Sequence, residues 1–260
     1  MTWIQVVIGV LAIPGLYLSA TPIIYAVIWA LCGTETPGVL RPPSTRWLVH
    51  VLTDGEWLAA IGISTAFAVA ASTASMFLVS VSNYFLRIES RVRDYGTTLV
   101  VLLPLLFPQV IFALAWSLIL AKTEIPAVIG VGVAHMVTML PVQYLVVKSE
   151  SGVLRQSQLW AGLVMGARPL ANMRRVYLPL MRRPLVTAWI IGALISFDEL
   201  VVTLFLWSDP SQPVALRLWN LFGRHNDPTP AVVALTILGV VGLLALSITL
   251  GFRTSGWRRR

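Results

Sequence analysis

Charge is scarce in this chain. Of its 260 residues only 12% are Asp, Glu, Lys or Arg, about half of the roughly 25% usual in a soluble domain, which excludes an ordinary water-soluble globular domain. Disorder is excluded by the opposite quantity, a hydrophobic content of 57% that no unfolded chain carries. Cysteine is nearly absent: Cys32 stands alone, so neither an intrachain disulfide nor a cysteine-based zinc cluster can form. His50, His135 and His225 lie far apart without ligand spacing. Each reads as an ordinary loop or helix-packing histidine, and no metal site is expected. Lysine occurs twice, as Lys122 after Ala121 and Lys148 after Val147, so the Gly-Lys-Ser/Thr of a phosphate loop is missing. The chain is not its own ATPase by that route. A Gly-x-Ser-x-Gly elbow, a His-Glu-x-x-His pair and a close Ser/His set are missing as well, so no catalytic residue is assigned.

What is present is apolar length. Mean hydropathy is +0.81, and six apolar runs cover 4–31, 57–86, 98–120, 126–147, 185–206 and 231–252. Each meets or exceeds the roughly 20 residues that cross about 30 Å of hydrocarbon at about 1.5 Å per residue. The reading is an all-α integral membrane protein of six transmembrane helices, one domain over 1–260. Six buried helices of a soluble core would leave too little polar chain to cover them. The first run far exceeds a signal-peptide core of about 7–15 residues and has no basic stretch before it, so a cleaved leader is not expected. Pro14, Pro22, Pro104, Pro108 and Pro141 fall inside runs, where membrane helices tolerate kinks once neighbours satisfy the backbone.

The formal net charge of +8 admits two opposed readings, a nucleic-acid partner or membrane orientation, and its distribution decides. Arg87, Arg91 and Arg93 follow the second run, and Lys148, Arg155, Arg168, Arg174, Arg175, Arg182 and Arg183 follow the fourth. Arg253, Arg258, Arg259 and Arg260 follow the sixth, bringing one side to fourteen of the 19 cationic residues. Only Arg41, Arg46, Lys122, Arg217 and Arg224 fall on the other. The positive-inside rule then places both termini in the cytoplasm, and nucleic acid is no longer needed to explain the charge.

Within the second run, 59–75 is dominated by Ala, Gly, Ser and Thr. Small residues let helix backbones approach closely in lipid, so a helix at the centre of a bundle is expected. A permeation path lined by the hydroxyls of Ser64, Thr65, Ser72, Thr73 and Ser75 is the alternative. The fifth run contains Asp198 and Glu199, the only acids within the six runs apart from the margin of the second. A carboxylate at mid-membrane costs roughly 2.5–3.5 kcal/mol and usually faces a bundle interior or a water-filled path. Adjacent helical positions differ by about 100°, so one acid can face a path while the other pairs with a cation or a backbone group. Both acids bracing the bundle is the other possibility.

The cytoplasmic loop 148–184 is too long and too patterned for a turn. A short helix is expected up to Ala167, with Gly166 near its end, Pro169 after it and arginines suited to a carbonyl-rich terminus. A second amphipathic stretch, 170–177, leads to Leu178-Pro179 and to Pro184 where the chain re-enters the membrane. This describes an interfacial helix pair suited to docking a soluble partner.

The spacing Ala161-Gly162, Gly166, Val176, Leu178-Pro179 resembles the signature loop of ABC-importer permeases, the inner-membrane components of binding-protein-dependent transport. In that family the loop begins Glu-Ala-Ala, ends Ile-x-Leu-Pro and forms a coupling helix in a cleft of the ATPase. Gly166, Leu178 and Pro179 match in register. Trp160 stands where the glutamate is expected and Gly162 where the second alanine is. Arg46-Trp47, Glu56-Trp57-Leu58, the stretch Ser196-Phe197-Asp198-Glu199-Leu200-Val201-Val202, and Leu218-Trp219-Asn220 are similar to the spermidine/putrescine branch.

The resemblance implies a type I importer fold and a permease in a bacterial inner membrane that forms half of a translocation path for a small, polyamine-like cationic solute. Expected partners are an ABC ATPase dimer, a second permease subunit (a paralogue or a copy), a periplasmic solute-binding protein and membrane lipid. ATP and Mg would be bound by the ATPase, with no cofactor in this chain. Trp160, Ala161, Gly162, Gly166, Ala167, Arg168, Leu178 and Pro179 are the expected ATPase-coupling positions; Ser196, Phe197, Asp198 and Glu199 are the path candidates. A secondary transporter or channel working without an ATPase is the runner-up, and it would call for internal repeats or a broken helix carrying an ion site. A non-transporting scaffold is a third reading.

Overall fold

A computed structural model describes residues 3–33, 40–88, 91–150, 154–221 and 228–239. All regular elements among them are helical, and the chain divides into two compact units, Met1–Leu58 with Leu218–Arg260, and Ala59–Arg217.

The first unit contains α1 (Trp3–Cys32), α2 (Arg46–Thr53) and the short apolar helix Thr229–Gly239. After α1 the chain turns back on itself. Arg41 N donates to Cys32 O at 2.7 Å, Ser44 N donates to Leu31 O at 2.8 Å, and Trp47 Nε1 donates to Gly33 O at 3.2 Å. Asp54 then starts α3 (Gly55–Ile88): its Oδ1 accepts from Glu56 N at 2.8 Å and Trp57 N at 3.1 Å. These are the orphan amides of a helix N-terminus, which an Asp side chain satisfies well.

The second unit holds most of α3 with α4 (Arg91–Leu106), α5 (Gln109–Leu120), α6 (Ala127–Ser149), α7 (Gln156–Val164), α8 (Pro169–Asn172), α9 (Leu178–Phe197) and α10 (Val201–Leu206); α11 (Val214–Leu221) begins in it. In α3 the small residues are inside. Ala60, Ser64, Ala68, Ala71, Ser72, Ser75, Val79 and Asn83 recur three or four apart and are buried, whereas Val69, Phe77, Leu78 and Phe85 are exposed. A water-soluble helix would reverse that arrangement; in lipid, small faces pack and large apolar faces meet acyl chains. The hydroxyls mostly serve packing. Ser72 Oγ donates to Trp189 O at 2.7 Å and accepts from Gln143 Nε2 at 2.8 Å, and Ser64 Oγ accepts from Val214 N at 2.9 Å.

Helix α6 packs against α9. Gln143 lies so close to Gly192 that a Cβ there would collide with its amide.

Among the described residues, four helices are long and apolar enough to cross a membrane: Pro14–Cys32, Gly55–Ile88, Ala127–Ser149 and Pro169–Phe197. A fifth span results if Tyr95–Leu106 and Gln109–Leu120 are taken together, although they meet at 96°. The expectation of one helix over 98–120 is therefore corrected. Pro108 caps α5 without an N–H to continue α4, and it disfavours helical geometry at Phe107. The expected sixth run, 231–252, is helical up to Gly239; 240–252 lies outside the described residues.

The fifth run differs at both ends. A helical stretch begins at Pro169, well before 185, and continues to Phe197, so Pro179 and Pro184 sit inside helix. A π-turn over Met173–Tyr177 makes this possible: Leu178 N bonds to Met173 O, five residues back, immediately before Pro179, which has no amide to place. Widened turns of this kind absorb local breaks in the helical ladder. At the far end the helix stops at Phe197 and restarts at Val201, so 185–206 is not one continuous helix.

Candidate functional site

Two constructions stand out, a helical hairpin at one end of α3 and the break at 198–200. The hairpin begins with α7, where Gln158 Oε1 accepts from Arg155 N at 3.0 Å, one half of a capping box. It ends at Gly166, with φ at +85°. Ala167 N reaches Gly162 O at 3.1 Å and Gly166 N reaches Leu163 O at 3.0 Å, the paired bonds of a Schellman motif, whose left-handed residue favours glycine. Arg168 is extended and Pro169 opens α8, as proline does at a first helical position.

The hairpin is fastened from beneath. Tyr84 Oη donates to Pro169 O at 2.8 Å, Gln156 Nε2 to Arg87 O at 2.7 Å, and Arg87 Nη1 to Leu154 O at 3.1 Å. Asn83 Oδ1 accepts from both Arg87 Nε at 2.9 Å and Tyr177 Oη at 3.1 Å. Leu159, Tyr84, Tyr177, Met173 and Met181 form one buried cluster. Its crest is apolar and uncovered: Trp160, Val164, Met165 and Leu170 are exposed, Met165 at 87%.

Asn172, which the sequence alone did not single out, holds the hairpin shut. It is buried, its Nδ2 donates to Leu159 O at 2.9 Å, and a Cβ on Gly162 would lie 2.6 Å from its Oδ1. The glycine at 162 is thus the space Asn172 needs. Of the eight positions expected to couple, Trp160, Ala161, Gly162, Gly166, Ala167 and Arg168 lie together on α7 and its turn, while Leu178 and Pro179 follow the π-turn on α9.

The break is organised by Glu199. Its Oε1 accepts from Val202 N at 3.0 Å, capping α10, and its Oε2 accepts from Gln109 Nε2 at 2.6 Å. Thr203 Oγ1 donates to Glu199 O at 2.6 Å, and so accepts from His135 Nε2–H at 3.1 Å. That leaves His135 Nδ1 to accept from Ser196 Oγ at 2.9 Å. Ser196, Glu199, Thr203 and His135 are all buried, so His135 is a packing histidine, in keeping with its ordinary reading. Ser196 and Glu199 are brought together in this network, Phe197 is half-buried beside it, and Asp198 is turned outward and exposed. The backbone N–H of Asp198 donates to Leu194 O at 3.2 Å, while its carboxylate has no hydrogen-bond partner among the described residues. Those residues also contain no group of three or more His, Cys, Asp or Glu able to hold a metal ion.

No family model matches the chain. It is 26% identical over 250 residues to the putrescine transport system permease protein PotI of Escherichia coli K12, covering 92% of this chain and 87% of that protein. It is 29% identical over 115 residues to the spermidine/putrescine transport system permease protein PotC of Haemophilus influenzae, covering 44% of each. This chain is a homologue of the ABC importer permeases. Among solved structures, a bacterial ABC transporter involved in the import of the acidic polysaccharide alginate matches with a TM-score of 0.59 over 95% of both chains, at 16% identity. That likeness concerns the fold.

As an ABC importer permease homologue the chain is a non-catalytic, multi-pass membrane subunit, and the homology implies membership of an ABC transporter complex. The glycine at 162 leaves the space that Asn172 fills, and a lone asparagine ten residues on carries no sequence signal of that role. The cap by Glu199 left a weaker trace, since no motif separates a mid-helix acid from one that ends a helix.

Proposed function

We propose that this permease forms half of a translocation path for a small cationic, polyamine-like solute, driven by a separate ATPase dimer that binds ATP and Mg. The observation that carries the reading is the hairpin: an exposed apolar crest of Trp160, Val164, Met165 and Leu170, fastened to α3 through Tyr84 and Arg87. A crest so fixed transmits a push to the bundle as a rigid lever, whereas a mobile loop would absorb it. Nucleotide, bound differently in two states of the ATPase, then selects between outward and inward openings.

In this reading both termini are cytoplasmic, the chain makes six spans of a bacterial inner membrane, and the other half of the path is a second permease, paralogue or copy. A periplasmic solute-binding protein docks on the outer loops 32–56 and 207–230. The crest residues and Ala161, Gly162, Gly166, Ala167 and Arg168 meet the ATPase, with Trp160 filling the place of the family's glutamate. Leu178 and Pro179 set the direction in which α9 leaves the hairpin.

The outward Asp198 attracts the cation, while Glu199 and Ser196 hold the break that presents it and Phe197 flanks it. Putrescine, in the names of the relatives, supports a cation, and an exposed carboxylate at membrane depth needs a partner. Asp198→Asn is expected to weaken uptake of labelled putrescine with unchanged membrane abundance. Unaltered kinetics would remove Asp198 from the path.

A further inference from the structure

We propose that the permease carries a binding groove for one anionic phospholipid of the leaflet on the hairpin side. An open groove of about 560 Å³ lies between α3 and the α8–α9 stretch. Phe77, Val81 and Phe85 line one wall, and Met173, Leu178 and Trp189 line the other. From Thr73 to Phe85 it follows about 18 Å of helix, close to the depth of one leaflet, half of a hydrocarbon core about 30 Å thick. The lining is almost wholly apolar, which suits an acyl chain and does not suit a charged solute in water.

Arg174 stands at the hairpin end of the groove, exposed and without a partner among the described residues. Guanidinium groups favour phosphate, to which they donate in parallel pairs. A long apolar slot at membrane depth with one cation at its headgroup end is complementary to a phosphodiester above a hydrocarbon tail. The groove's place in the cytoplasmic leaflet rests on the cytoplasmic placement of the hairpin and on none of the solute assignment. Loss of lipid with transport intact therefore separates the two.

The test uses the complete transporter, purified with its partner subunits and titrated with phosphatidylglycerol and, in parallel, phosphatidylcholine. Native mass spectrometry then counts bound lipid. One phosphatidylglycerol per copy of this chain is expected. Retention should fall about fivefold in Arg174→Ala, as expected for one basic residue near an anionic headgroup, and should largely survive in Arg174→Lys. Equal retention by wild type and Arg174→Ala, or equal binding of the two lipids, would overturn the proposal. So would a disulfide from Phe77→Cys to a cysteine scanned along the second permease, because a protein neighbour would then occupy the groove. Unchanged melting of Arg174→Ala shows that any loss is not misfolding; should that variant melt early, the wild-type preference for phosphatidylglycerol over phosphatidylcholine decides.

Discussion

Gly162 and Asn172 yield a prediction whose sign reverses with background. Replacing a helical glycine by alanine ordinarily stabilises by up to about 1 kcal/mol. Here the new methyl would lie 2.6 Å from Asn172 Oδ1, so the asparagine must leave its niche. It would lose the bond to Leu159 O, and a displaced buried polar group costs about 1–3 kcal/mol. Strained repacking adds a cost of similar size. The net expectation for Gly162→Ala is a loss of about 3 kcal/mol. In an Asn172→Ala background the obstacle is gone, and the same change should stabilise by up to about 1 kcal/mol. Thermal melting of the purified permease in lipid nanodiscs, compared at one scan rate because membrane-protein unfolding is rarely reversible, reads both steps. Equal shifts in the two backgrounds would refute the packing argument, since independent sites add.

Gly166→Ala must place a side chain at a φ of +85° and is expected to cost about 1–2 kcal/mol in the same melting assay. Glu199→Gln replaces one of two acceptors by a donor facing either Val202 N or Gln109 Nε2. A loss of about 1–3 kcal/mol is expected, with partial recovery in Glu199→Gln/Gln109→Glu, which restores a donor–acceptor pair; no recovery would count against the latch. Ser64→Ala leaves the buried amide of Val214 without its acceptor, and a fall in stability of about 1–2 kcal/mol is expected from melting.

The sequence made some of this legible and concealed the rest for physical reasons. The α7 turn could be read because Gly166 and Pro169 are local punctuation: each acts through its own φ, and no distant contact can remove that preference. The buried face of α3 could be read because small residues at helical spacing have one use in lipid. The angle at Pro108 could not, since a proline inside an apolar run kinks a span or ends it according to what packs alongside. Pro184 misled in the opposite direction. It stands at the expected membrane entry, yet the helical stretch runs through it from Pro169 by way of the π-turn over Met173–Tyr177, and a π-turn has no composition of its own. At 198–200 two adjacent acids interrupt an otherwise apolar run, yet acids inside a span do not by themselves say that the backbone breaks there. The decisive partner of Glu199, Gln109, is ninety positions away, beyond any local pattern. Asn172 belongs to the same class, an ordinary residue whose role is defined by the atom missing from Gly162.

ATP-dependent accumulation of labelled putrescine in proteoliposomes holding the complete transporter tests the central claim, with Met165→Asp beside wild type. The exposed crest at Met165 tolerates the charge in the free chain but not in an apolar protein contact. The variant should therefore insert normally, lose its ATPase partner on purification and stop accumulating solute. Full ATP-driven uptake by Met165→Asp, or uptake by wild type with the ATPase omitted, would contradict the claim that this hairpin is where the energy enters.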